Sequence, residues 1–371
     1  ALGIKPELGI RFRLSAKSGG MWSGSGGDRS TFGLSSSQLI DAIDLLKAED
    51  MIDCLRLFHF HQGSQLPNIR AIREAANEAV RVYVNLVQEG APMGILDMGG
   101  GLAIDYDGSH SDSPSSCNYG LDEYAADLVE IVQEACNQAD LPHPDLVTES
   151  GRAVVAYYSV LVFNVLDLTR FEEPEEPPAP ADDAHEILQN LWGVRDTIVP
   201  RKLQEAYNDA LYYRDQLRAL FTHGVIDLRD RAHAEKIFWH LLTRIALEAR
   251  QLEQVPEELQ QLDEQLIDFY YGNFSVFQSL PDHWAINQLF PILPIHRLDE
   301  EPANRAILSD ITCDSDGKVD TFINVEGTAG HLAVHDLKEG EEYYIGAFLT
   351  GAYQETLGDL HNLLGLSLIH I

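Results

Sequence analysis

Apolar residues recur every three or four positions over residues 36–47, 68–88 and 121–139, the spacing that lines one face of an α-helix. Between them lie short, nearly continuous apolar runs over 9–14, 54–60, 94–98 and 145–148. Runs of that kind suit parallel strands covered on both faces. The first third of the chain therefore predicts alternating strands and helices. Each of the later strands opens into a polar or glycine-rich loop: His61-Gln62-Gly63-Ser64, Gly99-Gly100-Gly101 and Glu149-Ser150-Gly151-Arg152. Loops at the carboxyl ends of strands are where a (β/α)8 barrel or a doubly wound sheet builds its site. Only about four strand-helix units fit before residue 150, whereas a closed barrel takes about 250 residues.

An apolar strand is predicted over 158–167. The run Glu172-Glu173-Pro174-Glu175-Glu176-Pro177-Pro178-Ala179-Pro180 then breaks regular structure, because its prolines remove donors and its carboxylates repel one another. Beyond it, 184–191, 201–221, 229–254 and 256–269 carry apolar stripes with charged outer faces and predict an inserted helical bundle. After Gly272 the segments 274–277, 290–297, 306–312, 321–325 and 343–349 read as strands separated by turn chemistry such as Asp314-Ser315-Asp316-Gly317.

Composition narrows the function classes. The 371 residues are 45% apolar, ordinary for a packed protein of two or three domains. With 26 Lys and Arg against 59 Asp and Glu the net charge is −33, a field that repels nucleic acid and anionic membrane surfaces and concentrates a small cationic substrate. Cys54, Cys117, Cys136 and Cys313 are too sparse for a disulfide framework or a zinc cluster. No apolar run approaches the roughly 20 residues that cross a bilayer, and the N-terminus lacks the order of a signal peptide. A cytoplasmic protein is expected.

Four places carry candidate chemistry. His59 and His61 flank Phe60, so a two-residue period puts both imidazoles on one face of a strand. Three readings compete for them: the start of a metal site, one packed and one hydrogen-bonded histidine, or an imidazole lying flat on an aromatic cofactor whose phosphate meets Ser64. Gly99, Gly100 and Gly101 follow a buried strand and let backbone amides approach an anion, although the spacing is neither a dinucleotide fingerprint nor a Walker loop. A plain tight turn is the equal alternative. Glu149 and Arg152 either pair with each other or divide a cofactor between them, the carboxylate on a protonated pyridine nitrogen and the guanidinium on phosphate. Cys313 is either an inert thiol or a proton donor whose pKa is held up by neighbouring carboxylates. The acidic turn beside it lacks the remaining ligands of a calcium loop.

Taken in order, Phe60-His61-Gln62-Gly63-Ser64, Asp97-Met98-Gly99-Gly100-Gly101, Glu149-Ser150-Gly151-Arg152, Tyr271-Gly272-Asn273-Phe274, Cys313-Asp314 and Gly351-Ala352-Tyr353 resemble the pyridoxal-phosphate decarboxylases of the alanine-racemase-like fold. Within that group, Ser25-Gly26-Gly27-Asp28-Arg29-Ser30-Thr31-Phe32-Gly33-Leu34, the glycine segment 96–106, the helical insert and Asp310-Ile311-Thr312-Cys313-Asp314-Ser315-Asp316-Gly317 are similar to the biosynthetic arginine decarboxylases. The resemblance spans nearly the whole chain. It implies an α/β plus β fold: part of a (β/α)8 barrel over 1–157, the first strand of a β domain over 158–171, a linker and helical bundle over 172–268, and a C-terminal β domain over 269–371.

The resemblance also assigns roles. His61 would stack on the pyridine ring of pyridoxal 5′-phosphate. Ser64, Gly99, Gly100, Gly101, Arg152 and Tyr353 would hold its phosphate, and Glu149 would keep the pyridine nitrogen protonated. Cys313, reaching into a neighbouring subunit of a homo-oligomer, would return a proton to the substrate carbon after carbon dioxide leaves. Asp314 and Asp316, with Asp97 and Asp105, would face the cationic end of arginine. Magnesium is implied as a helper ion, with no ligand set assigned. The family's Schiff-base lysine stands in a Tyr-Pro-x-Lys context that does not occur here, and Lys5 and Lys17 lack it. The chain is therefore expected to begin partway through the barrel and to be inactive alone, with a foreign tail over 365–371. A non-catalytic regulatory relative and a metal-dependent hydrolase using His59 and His61 are the alternatives.

Overall fold

The computed structural model describes residues 4–16, 30–172, 175–325 and 327–360. The chain opens with β1 (Leu8–Phe12), α1 (Ser36–Ala48), β2 (Leu55–Phe60), α2 (Ile69–Gln88), β3 (Ile95–Asp97), α3 (Leu121–Gln138), β4 (Asp145–Val147) and the short α4 (Gly151–Val155). Local chemistry sets these boundaries. Ser35 and Gln38 form a capping box at the start of α1, and the Asn68 side chain accepts from the Arg70 amide at the start of α2. Ile72, Ala75, Ala76, Ala79, Val80, Tyr83 and Val84 put a continuous buried stripe along α2.

The four strands are parallel in the order β1-β2-β3-β4. Their register pairs Arg11 with His59, His59 with Asp97, and Asp97 with Val147. Ile10, Phe12, Phe58, Phe60 and Leu96 pack into one core with the helices. The alternate positions Arg11, Leu57, His59 and Asp97 occupy the opposite face and are only half-buried.

β5 (Leu161–Thr169) leads into the bundle of α5 (Glu186–Gly193), α6 (Leu203–Thr222), α7 (Leu228–Ala249) and α8 (Glu257–Gln265), which has its own core around Leu191, Ala206, Ile237, Leu241, Ile245 and Leu262. The chain returns as β6 (Asp268–Gly272), the antiparallel neighbour of β5 with Leu168 opposite Tyr270, so the bundle is inserted between adjacent strands. Then come α9 (Val276–Ser279), α10 (Pro281–Ile286), β7 (Ile292–Pro294), β8 (Asn304–Ser309), β9 (Lys318–Val319), β10 (Phe322–Asn324), β11 (Gly327–Ala329), β12 (Leu332–Val334), β13 (Tyr343–Ala347) and α11 (Gln354–Leu357). A seven-stranded sheet runs β12-β8-β6-β5-β13-β7, with β9 on β8, over a third core. Asp263 on α8 pairs with Arg250, the residue that caps the end of α7, and with Arg305 on β8, tying the bundle to this sheet. No helix of the described residues is long and apolar enough to cross a membrane.

Three expectations change. The helix predicted over 256–269 stops at Gln265, because Asp268–Gly272 is paired on both edges as β6. The strand predicted over 274–277 is instead the start of α9, where the Ser275 side chain caps the Gln278 amide. The loop that carries Arg152 becomes the first turn of α4. Residues 25–29 of the Ser25-to-Leu34 motif, Lys17 and the tail 365–371 lie outside the described residues.

Candidate active site

Three strand-end loops converge beyond β2, β3 and β4. The Met98 amide donates to Val147 O at 2.8 Å and the Glu149 amide to Gly99 O at 2.7 Å, which fastens the glycine loop to the loop after β4. The Leu66 amide donates to Gly101 O at 3.0 Å, and the Gly100 amide to His61 Nδ1 at 3.2 Å, which fastens it to the loop after β2. Glycine is demanded by this crossing. Gly99 has φ +64, and a Cβ there would stand 2.1 Å from Phe60 O; a Cβ on Gly100 would stand 2.9 Å from His61 Cε1.

The amides of Gly99 and Gly100 are thus spent inside the chain, on Asp97 Oδ1 at 2.9 Å and on His61 Nδ1. Among the described residues nothing accepts from the Gly101 amide. His61 Nδ1 lies 3.8 Å from Glu149 Oε2. Burial and the Arg11 guanidinium hold the His61 pKa below its ordinary value against the opposing pull of Glu149. A neutral imidazole is the form that accepts from Gly100.

Arg152, on the first turn of α4, is 6% exposed. Its Nη1 donates to the Tyr106 hydroxyl at 2.9 Å and its Nη2 to Ser64 Oγ at 3.2 Å, while its Nε is buried with no partner. Its guanidinium carbon stands 4.8 Å from the centre of the Tyr353 ring. No carboxylate pairs with it among the described residues. A buried cation with neutral partners and an idle donor is costly unless an anion joins it. Burial also raises the Tyr106 pKa, so its oxygen stays a neutral acceptor rather than a rival phenolate.

Tyr353 reaches this point from the C-terminal end. The Gly351 amide donates to Ala156 O at 3.1 Å, and a Cβ on Gly351 would fall 1.8 Å from Val155 O, so the segment lies directly on the end of α4. Tyr353 itself holds φ +70, an uncommon conformation for a bulky residue.

Other expected residues fall elsewhere. Asp97 Oδ1 accepts from the Gly99 amide at 2.9 Å, and Oδ2 lies 2.8 Å from His59 Nδ1, a buried nitrogen that makes no hydrogen bond of good geometry. Asp105 accepts from Ser116 Oγ at 2.6 Å and lies 3.1 Å from His110 Nδ1, which commits it to folding the 105–116 loop. Both therefore have partners within the chain. Cys313 is exposed on the turn after β8, which buried Asp310 shapes by accepting from the Val276 and Thr312 amides. Asp316 in the same turn accepts from Trp284 Nε1 at 2.8 Å. This turn joins β8 to β9 of the C-terminal sheet. Lys5 is a surface residue paired with Asp53.

Two contributors escape the sequence. Tyr106 closes the glycine segment 96–106 but is given no role there, and Arg11 reaches His61 only because β1 and β2 pair in register. The metal alternative also changes, since the donors that converge are His59, Asp97 and Glu149, all within 4.8 Å, without His61. One imidazole and two carboxylates are not the all-oxygen shell that magnesium takes.

The donor set fits a phosphate ester at Arg152, Ser64 and the Gly101 amide, with an aromatic ring extending toward His61 and Glu149. Comparisons with known proteins agree. Residues 3–156 match the family described as pyridoxal-dependent decarboxylase, pyridoxal binding domain, and residues 181–263 match the arginine decarboxylase helical bundle domain. A biosynthetic arginine decarboxylase of Gloeobacter violaceus is 48% identical over 100% of this chain and 58% of its own length. That of Thermosynechococcus vestitus is 47% identical with the same coverage. The chain therefore spans 58% of the length of these curated relatives. The crystal structure of the Campylobacter jejuni biosynthetic arginine decarboxylase superposes with a TM-score of 0.77 at 36% identity, over 98% of this chain and 57% of that one. A diaminopimelate decarboxylase of Helicobacter pylori, at 15% identity and a TM-score of 0.57, shares the fold. By sequence, by both matched domains and by fold, the chain belongs to the biosynthetic arginine decarboxylase family.

Proposed function

We propose that this chain supplies the cofactor grip and the bundle and β domains of a pyridoxal 5′-phosphate-dependent decarboxylase that converts arginine to agmatine and carbon dioxide for polyamine synthesis. The observation that carries the reading is Arg152: a buried, carboxylate-free guanidinium with an idle Nε, beside a serine hydroxyl and beneath a tyrosine ring. Pyridoxal phosphate, when bound, supplies an electron sink for the pair left behind as carbon dioxide departs.

The protein residues do the rest. Arg152, Ser64 and the Gly101 amide hold the phosphate by charge-assisted hydrogen bonds, with Tyr353 closing over the guanidinium. Gly99 and Gly100 act sterically, letting the loop cross the end of β2. Glu149 keeps a proton on the ring nitrogen, and the neutral His61 lies against the ring. In a homo-oligomer with shared sites, Cys313 of one subunit would deliver a proton to the substrate carbon in the next. Asp314 and Asp316 would face the substrate guanidinium, whose planar fork suits paired carboxylate contacts. The −33 net charge draws in a cationic amino acid. Four free cysteines, three of them buried, suit the reducing cytoplasm.

The test needs no Schiff-base lysine. Stable reduced conjugates of pyridoxal phosphate with arginine, lysine, ornithine and diaminopimelate are titrated into the chain by calorimetry. The arginine conjugate is expected to bind at least about tenfold tighter than the others. Equal affinity across the panel would remove arginine as the substrate, and no binding of any conjugate would remove the cofactor.

A further inference from the structure

His59 has no place in the scheme above, yet it occupies the layer directly beneath the loops. β1, β2 and β3 put Arg11, His59 and Asp97 side by side in register on the face turned away from the helices. β4 adds Val147 beside Asp97, and two residues further along β2, β3 and β4 come His61, Gly99 and Glu149.

His59 Nδ1 lies 2.8 Å from Asp97 Oδ2, and donor atoms of His59, Asp97 and Glu149 all fall within 4.8 Å of one another. Two carboxylates that close repel unless a donor or a positive charge stands between them. Asp97 cannot move away, because its other oxygen holds the Gly99 amide. Arg11 stacks on the Phe32 ring, 5.0 Å from its centre, and its charge is felt at His61 in the loop above. His59 is the side chain set against Asp97 that also comes within 4.8 Å of Glu149.

We propose that His59, set by Asp97, is a positioning residue that keeps the Glu149 carboxylate aimed at the ring nitrogen of the bound cofactor. The inference rests on the cofactor reading above, and it assigns a supporting layer of two residues, His59 and Asp97, beneath Glu149. Asp97 thereby acts on the cofactor through His59 and does not meet the substrate.

The role makes a selective claim about one atom of the ligand. Pyridoxamine 5′-phosphate has no aldehyde and so reports the grip without imine formation. Its analogue with carbon in place of the ring nitrogen keeps the phosphate and the ring and gives Glu149 nothing to hold. Both are titrated into the chain and into His59→Leu, His59→Asn and Asp97→Asn. His59→Leu is expected to weaken the nitrogen-containing ligand about tenfold and the carbon analogue less than about twofold. His59→Asn, which returns a donor near the Nδ1 position, is expected to recover most of the loss. Asp97→Asn keeps the shape, removes the charge and is expected to repeat the selective loss. Equal weakening of both ligands by His59→Leu and Asp97→Asn would mark a merely structural role and overturn the inference alone. If the unaltered chain bound neither ligand, the cofactor reading would fall and the inference with it.

Discussion

Gly99 and Gly108 share a left-handed backbone but differ in their surroundings, and the pair separates conformational from steric demand. Gly99 has φ +64 with Phe60 O at 2.1 Å from its would-be Cβ; Gly108 has φ +72 and nothing within 4 Å. Alanine at Gly108 should cost about 1 kcal/mol, the strain of an L-residue in that region. At Gly99 the same change must also move the end of β2 and should cost about 3 kcal/mol or more. Urea unfolding of the two variants checks this, and equal costs would mean that the loop does not press on the strand. His61 depends on the same crossing, because it accepts from the next amide in the loop.

Elements with a strong period were legible in the sequence, and those set by their neighbours were not. The stripe on α2 and the capping box of α1 define both helices locally, and each runs within a residue of its expected bounds. By contrast, Asp268–Gly272 carries the apolar content of a helix end and becomes a strand only because β5 and β8 flank it. β12, three residues long, has no local signature and exists through its pairing with β8. The site divides in the same way. Its loops stand out because glycine triplets, paired histidines and a Glu-x-x-Arg step are unusual at strand ends. The partnership of His59 with Asp97 and the approach of Arg11 to His61 follow from strand register, which a single sequence does not contain. The role of Tyr106 was hidden for another reason: it ends the glycine segment 96–106, but its contact with Arg152 joins residues 46 apart.

Among the described residues three cores form in a strongly acidic chain, and three histidines couple their folding to pH. Burial lowers the pKa of His61 after β2, of His283 in α10 and of His331 before β12. Their folded values lie below the unfolded value of about 6.5, so the unfolded chain binds more protons and stability rises with pH. The contribution is complete above about pH 6.5 and is lost as pH falls through the folded values. Asp107, Asp263 and Asp336, held low by hydrogen bonds and arginine partners, add a second loss only below about pH 4. Thermal unfolding at fixed ionic strength should show a lower midpoint at pH 5.5 than at pH 7.5, and an equal or higher one would contradict the assignment. At this scale the buried Arg152 cation is the feature that calls for an anion, and calorimetry with pyridoxamine 5′-phosphate and unphosphorylated pyridoxamine addresses it directly. The chain should bind the phosphorylated ligand roughly a hundredfold tighter. Arg152→Met, which fills the same space without a buried charge, should stay folded and lose that preference. A variant that still preferred the phosphorylated ligand by the same factor would contradict the account.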